Sequence, residues 1–303
     1  MGIDTIGGAT PYDATFFAGI EEGARRSAEA VVPLLIEHFS PSSVVDIGSG
    51  GGVWAATFLA NSVADVVAID GPWVPHAARC VPPGRFWEHD LSLPLAMKRT
   101  FDLALCLEAA EHLPASAAPE LVRSLTEAAP VVAFSAALPG QGGDGHINEQ
   151  PASYWARLFA GRNYVCFSDI RGRIWNDEAV EPWYRQNLLC FVRQSELARW
   201  GACLRTSIHH DDPLLDVAHP ALLARHKRMA DRREVYSRRL EADADRLLAE
   251  ADCLREEVAR TRGELQQRQA ELDRIRNSLA WRALHLAARP VRRLRRYAIG
   301  SAV

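Results

Sequence analysis

Two carboxylates and an imidazole crowd into the stretch Glu108-Ala109-Ala110-Glu111-His112-Leu113. If that stretch is helical, residues 108, 111 and 112 sit at i, i+3 and i+4 and share one face. A second imidazole, His146, follows the next strand-like run. Loops leaving parallel strands about 4.8 Å apart can bring the two imidazoles together. Such a set suits two chemistries. Carboxylate oxygens and imidazole nitrogens can hold Mg²⁺, Mn²⁺ or Fe²⁺, and ligand type alone does not choose among them. Alternatively His112 or His146, with an ordinary imidazole pKa near 6.5, can take a hydroxyl proton at neutral pH.

Something must place these groups against a reactant, and the strongest candidate is Val44-Val45-Asp46-Ile47-Gly48-Ser49-Gly50-Gly51-Gly52. A short β-branched run ends in an acid and a glycine turn, and residues 53–61 then read as helix. Strand, glycine turn and helix bring backbone amides and a helix N-terminus up to a nucleotide. Glycine lets the chain turn sharply with no Cβ in the ligand's way. The spacing Asp46-x-Gly48-x-Gly50-x-Gly52 differs from the dinucleotide pattern G-x-G-x-x-G. Val66-Val67-Ala68-Ile69-Asp70 is a second apolar run ending in an acid, placed where a carboxylate can accept both hydroxyls of a ribose. His89-Asp90-Leu91 follows the turn at Pro82-Pro83-Gly84, and Phe101-Asp102-Leu103-Ala104-Leu105-Cys106 reads as another strand.

In this order the four features resemble the class I S-adenosylmethionine (SAM) methyltransferases over about residues 40–195. The resemblance implies a Rossmann-like, mostly parallel seven-stranded α/β sheet with helices on both faces. It also implies a SAM site formed by Asp46, Gly48, Gly50, Gly52, Asp70, Asp90, Leu91 and Leu107. The arrangement E-x-x-E-H plus a later His is similar to the metal site of small-RNA 3′-terminal ribose 2′-O-methyltransferases. That likeness implies Glu108, Glu111, His112 and His146 as ligands to Mg²⁺ or Mn²⁺, with His112, His146 and Glu111 catalytic. The chain departs from those enzymes in having no recognisable RNA-binding domain. The Glu-His pair also resembles ubiquinone-biosynthesis O-methyltransferases, and in many relatives it binds no metal and packs beside the cofactor.

Across the 303 residues, alternating strands (44–47, 65–69, 101–106, 130–135) and helices (53–61, 118–127) argue for a parallel sheet covered on both faces. The expected division is an N-terminal arm and helix at 1–40, a SAM-binding domain at 41–200, a linker at 201–230, a coiled coil at 231–280 and a basic amphipathic tail at 281–303. Glu21 to Phe39 carries apolar residues at helical spacing, and Tyr12, Phe16 and Phe17 precede it as a flap or arm. Residues 174–187 mix Trp175, Trp183 and Tyr184 with Asn176, Gln186 and Asn187. This suits either a carbohydrate or another polar acceptor, or a capped corner of the sheet. His209-His210-Asp211 reads as a solvated turn, since adjacent side chains rarely converge on one ion.

From Leu240 to Leu279 twelve positions recur at alternating spacings of 4 and 3, ten of them apolar, as in a heptad seam. Such a coil runs about 60 Å and implies a homo-oligomer; a single helix packed on the domain is the alternative. Arginines among Trp281, Leu284, Leu286, Leu294 and Tyr297 suit an anionic membrane surface. Asn277-Ser278-Leu279-Ala280-Trp281-Arg282 is similar to the tail after coiled coils in bacterial polysaccharide-assembly enzymes.

A net charge of −3 gives no basic field for bulk nucleic-acid binding. Six cysteines without a C-x-x-C pair point to reduced thiols and a cytoplasmic protein, peripheral at the inner membrane face if the tail meets lipid. Neither a secretory leader nor an 18-residue apolar span is legible. The expectation is a SAM-dependent O-methyltransferase acting on a hydroxyl of a sugar or glycan intermediate. A quinone or antibiotic-type acceptor, or a non-catalytic scaffold, stands beside it.

Overall fold

The computed structural model describes residues 14–200, 204–284 and 286–287, with side chains from residue 22 onward. The expected N-terminal arm before residue 14, Cys203 and most of the Arg-rich tail lie outside the described residues. The chain divides into two units, Met1–Arg228 and Met229–Val303.

The first unit opens with helix α1 (Ala14–Phe39), strand β1 (Ser43–Ile47), helix α2 (Val53–Ala60), and strands β2 (Asp65–Asp70), β3 (Phe86–Glu88) and β4 (Leu103–Leu107). Helix α3 (Ala118–Ala128), strand β5 (Val131–Ser135), helix α4 (Ala152–Ala160) and strand β6 (Tyr164–Phe167) follow. Helices α5 (Asp169–Ile174) and α6 (Pro182–Asn187), strand β7 (Leu189–Arg193), helix α7 (Leu197–Trp200) and the short strand β8 (Ser207–Ile208) complete it.

The sheet order is β3-β2-β1-β4-β5-β7-β6-β8. Its first five strands are parallel, whereas β7 runs antiparallel between β5 and β6. The expected seven strands gain an eighth where Ser207 and Ile208 pair with the outer edge of β6. Alternate strand residues feed two cores, as a period of two demands. Val44, Val66, Leu103, Leu105 and Val131 bury against α1, α2, α5 and α6. Val45, Ile47, Ala104, Val132 and Phe134 bury against α3 and α4, with Trp155 and Phe159 beneath. A sheet covered on both faces needs near-continuous apolar strands, which these are.

The chain from β1 goes outward to β2 and β3, then returns to start β4 on the other side of β1. Strand order therefore reverses between β1 and β4, and in open α/β sheets ligands bind outside the carboxyl ends at that reversal. The glycine turn and the Glu-His stretch leave those two strands.

Residues 204–222 return to the body. Asp216 accepts hydrogen bonds from the amide and hydroxyl of Ser153 at 2.9 and 2.7 Å. His219 is buried, its amide donating to Gln186 at 2.7 Å. His209, His210 and Asp211 sit in an exposed or half-buried turn.

Helix α8 (Pro220–Asn277) is a single helix of 58 residues that begins before the composition shift at Asp231. Of the seam, Leu240, Leu247, Leu254, Val258, Leu265, Leu272, Ile275 and Leu279 are exposed. No helix among the described residues is long and apolar enough to cross a membrane.

Candidate active site

The glycine turn is fixed by its backbone. Gly48, Gly50 and Gly52 all have positive φ, at 80, 54 and 83°, which L-side chains rarely adopt. At Gly48 space is a second reason: a Cβ there would lie 2.5 Å from the Cβ of Ala109, on the loop after β4. The two strand ends meet at this point, with Leu91 packed on the same glycine. Gly52 occupies the N-cap of α2, and its neighbour Gly51 lies against the carbonyl of Ala78 with no room for a side chain.

Asp70 faces the turn. Its carboxylate accepts the Gly50 amide at 2.7 Å and the Gly71 amide at 2.6 Å. Burial raises its pKa, and these amides and Trp73 pull against the rise. The indole of Trp73 covers Gly71 so closely that a Cβ there would enter the ring. Asp46 is fully buried, with Oδ2 lacking a hydrogen-bond partner among the described residues. Burial, with Asp70 adding repulsion, pushes its pKa to about 7, against the pull of the Ala55 amide. Asp90 is turned onto the amide and hydroxyl of Ser92 at 2.9 and 2.7 Å. Leu91 and Leu107 are buried. Thus Gly48, Gly50, Gly52, Asp46 and Asp70 gather at one turn, and Leu91 reaches it from β3.

The acidic stretch after β4 departs from the helical expectation. Glu108 has φ of 50°, a left-handed backbone, and only Ala110–His112 form a single 3-10 turn. The reason is tertiary: the Glu108 amide donates to the carbonyl and hydroxyl of Ser135 at 2.9 and 3.1 Å, which holds it on the β5 side. Its carboxylate then accepts Asn187 Nδ2 and Gln141 Nε2, each at 3.0 Å. Burial raises the Glu108 pKa, and Asn187, Ser135 and Gln141 oppose it.

Glu111, His112 and His146 come together, one ligand atom of each within 4.8 Å of the others. Glu108 is not in that group. Glu111 is fully buried and neither carboxylate oxygen has a hydrogen-bond partner among the described residues. Burial and then the Glu108 charge drive its pKa well above the carboxylate range. His112 meets His146 edge to face at 4.9 Å, and burial followed by that neighbour lowers its pKa.

A residue missed from the sequence completes the set. Glu149 Oε1 lies 2.9 Å from His146 Nδ1. The same carboxylate accepts the Gly140 and Gly142 amides, both at 2.7 Å. Burial raises its pKa, but His146 and the two amides outweigh that, and the net shift is downward. An ionised carboxylate only accepts hydrogen bonds, so His146 carries its proton on Nδ1 and presents the Nε2 lone pair. A Cβ on Gly143 would lie 2.2 Å from that Nε2; glycine there makes room for the ring. The legible signal was the spacing His146-x-x-Glu149, a carboxylate three residues past an imidazole in a glycine-rich loop.

The aromatic-polar loops mostly turn inward. Tyr184 is buried against Trp54 at 5.0 Å, and Trp175 packs on His219 at 4.6 Å. Asn187 and Gln186 bind Gln141, which binds Glu108.

Residues 20–169 match the sequence model of a family described as a methyltransferase domain. No curated protein matches the sequence. Among solved structures the chain is similar to the sugar N-methyltransferase KedS8 of a Streptoalloteichus species, at 17% identity and a TM-score of 0.46, over 64% of this chain and 100% of that one. It is also similar to an O-methyltransferase family protein of Burkholderia thailandensis, at 15% identity and a TM-score of 0.43, covering 60% of each chain. A third is Streptomyces venezuelae DesVI, at 13% identity and a TM-score of 0.44, over 59% of this chain and 95% of that one.

Proposed function

The chain is a SAM-dependent methyltransferase of class I, and from that premise we propose that it methylates a hydroxyl oxygen of a sugar or glycan intermediate, with His146 as the base. The observation that carries this reading is the 2.9 Å contact between His146 and Glu149 on the loop beside the β1–β4 reversal. SAM supplies a methyl group on a sulfonium, which departs as a neutral thioether once the methyl is taken. A hydroxyl oxygen attacks well only as its proton leaves. His146 Nε2 takes that proton, while Glu149 holds Nδ1–H and stabilises the imidazolium. Asp46, Gly48, Gly50, Gly52 and Asp70 fit the cofactor: three positive-φ glycines shape the turn, and Asp46 Oδ2 has no hydrogen-bond partner among the described residues. Asp90 accepts both Ser92 groups on Oδ1, which leaves its Oδ2 to face the cofactor.

The sugar class is supported by Gln141, a half-buried carboxamide beside Glu108 on the loop that also carries His146. Carboxamides both donate and accept, as a polyhydroxylated acceptor requires.

A divalent cation, Mg²⁺ or Mn²⁺, also fits at this place, because Glu111 buries two unmatched oxygens beside His112 and His146. Glu111, His112 and His146 would hold it, and Glu149 on His146 would act as the outer partner that ligating histidines use. Glu108, saturated by amides, is outside this set. A bound cation would acidify a coordinated hydroxyl.

Calorimetry with S-adenosylhomocysteine tests the first premise, and absence of binding removes the whole reading. Labelled SAM offered to nucleotide sugars, oligosaccharides and phenols tests the acceptor; transfer to phenols alone removes the sugar. Unchanged turnover after exhaustive chelation removes the cation and leaves His146 as base.

A further inference from the structure

The seam of α8 carries more information than its apolar repeat. In the register set by the alternating spacings, Ala244, Ala251, Val258, Leu265, Leu272 and Leu279 take position a, and Leu240, Leu247, Leu254, Thr261, Arg268 and Ile275 take position d. The positions flanking the seam then sort by charge. Position g holds Asp243, Glu250, Glu257, Glu264 and Glu271, every one an acid, and then Ser278 just past the end of α8. Position e holds Glu241, Leu248, Arg255, Arg262, Gln269 and Arg276, basic at three of the last four places.

We propose that α8 pairs with α8 of a second copy of this chain as a parallel, in-register, two-stranded coiled coil. In that geometry a g residue faces the e residue five positions later on the partner helix. Glu250 then meets Arg255 of the second copy, Glu257 meets Arg262, and Glu271 meets Arg276, with the reciprocal contacts on the other side. The remaining pairs put Glu264 against Gln269 and Asp243 against Leu248. None of these sets like charges face to face. An antiparallel pair instead opposes g to g and e to e, acid against acid and mostly base against base. The helix alone leaves the apolar seam in water, with Leu265 at 68% and Val258 at 60% exposure. An apolar stripe of this length on a free helix requires a partner. Small Ala244 and Ala251 at a allow close approach. Arg268 at d can turn its guanidinium out of a two-stranded seam, whereas a third strand would enclose it. This pairing is independent of the reading of the active site.

The test uses the full chain. Sedimentation equilibrium is expected to give twice the 33.5 kDa chain mass; a single or a triple mass overturns the proposal. In a Cys253→Ser background, Ala244→Cys and Leu272→Cys are each expected to form a dimer disulfide on mild oxidation. Only parallel, in-register helices align both positions with themselves, so failure of either variant overturns it. The combined variant Glu250→Arg, Glu257→Arg, Glu264→Arg and Glu271→Arg should raise the dimer dissociation constant at least about 100-fold at low salt, from several lost and reversed charge pairs. Mixing it with Arg255→Glu, Arg262→Glu and Arg276→Glu should restore pairing as a heterodimer. Indifference to the charge reversal also overturns the proposal.

Discussion

The two ends of the site are built from different materials. On the β1–β2 side the backbone decides: three glycines with positive φ, a helix N-terminus, and an acid whose oxygens hold two amides. On the β4–β5 side the side chains decide: Glu108 answered by carboxamides, Glu149 locked to His146, and Glu111 buried with neither oxygen hydrogen-bonded among the described residues. A backbone-built cradle binds one shape and tolerates little change in it. A side-chain-built site can be retuned one group at a time, and it leaves charge exposed to the reaction. Substitutions on the two sides should therefore fail differently, the first in affinity and the second in turnover.

The largest separation is expected at His146. His146→Ala removes the group that takes the proton, so kcat should fall by about 10² to 10⁴, the usual worth of a positioned base. S-adenosylhomocysteine affinity should stay within about twofold, measured by calorimetry on the same protein. A parallel loss of affinity would merge the two regions into one and break the contrast. Glu111→Ala should follow the same pattern, because its carboxylate lies beside His112 and His146.

The opposite failure is expected at Gly48. An alanine there meets Ala109 Cβ at 2.5 Å and must also hold φ at +80°. Strain of about 1 to 3 kcal/mol, together with displacement of the turn, should weaken S-adenosylhomocysteine binding by about 100-fold. Turnover at saturating SAM should change far less. If Gly48→Ala binds as the parent does, the turn is not the cradle and the site must be sought elsewhere.

These two ends were also unequally legible in the sequence. The glycine turn is short-range: its spacing, the preceding β-branched run and the acid 24 positions on at Asp70 are all visible along the chain. The strands that carry it were visible for the same reason, since doubly buried strands must be apolar throughout. The reaction side depends on contacts that no local pattern announces. Glu108 was placed on a helical face with Glu111, but Ser135, 27 residues away, and Asn187, 79 residues away, hold it in a left-handed conformation instead. Tertiary hydrogen bonds overrode the i, i+3 spacing. Glu149 was three residues from a residue already singled out, yet it became meaningful only once the loop bent to bring the two side chains together. The aromatic residues at 175–184 suit an acceptor loop or a capped corner of the sheet equally by sequence; Tyr184 and Trp175 pack against Trp54 and His219.

A finer cut within the reaction side comes from Glu149→Gln. The amide still fills the space but no longer fixes the His146 tautomer by charge, and outer partners of this kind are worth about 10- to 100-fold. kcat should drop by that amount with the acceptor KM little changed. A merely structural role would leave kcat intact and lower the melting temperature instead.

A change of opposite sign, a gain, is expected on the backbone side. Asp46 is buried with its native pKa near 7, above the 3.8 of the ordinary carboxyl. A carboxyl whose native pKa is raised binds its proton more tightly when folded. Its contribution is therefore most favourable below about pH 4 and declines as pH rises toward 7. By pH 8 the burial of this charge costs up to about 4 kcal/mol, from about 1.36 kcal/mol per pKa unit. Asp46→Asn removes the titration, so ligand-free Asp46→Asn should melt several degrees above the parent at pH 8, and the gap should shrink as pH falls to 4. Circular dichroism melts across that range check the slope. Saturating SAM should narrow the gap at pH 8, because a cationic sulfonium beside Asp46 favours its ionised form and offsets the burial. A gap that saturating SAM leaves untouched would mean that Asp46 only packs beneath the turn and takes no part in holding the ligand.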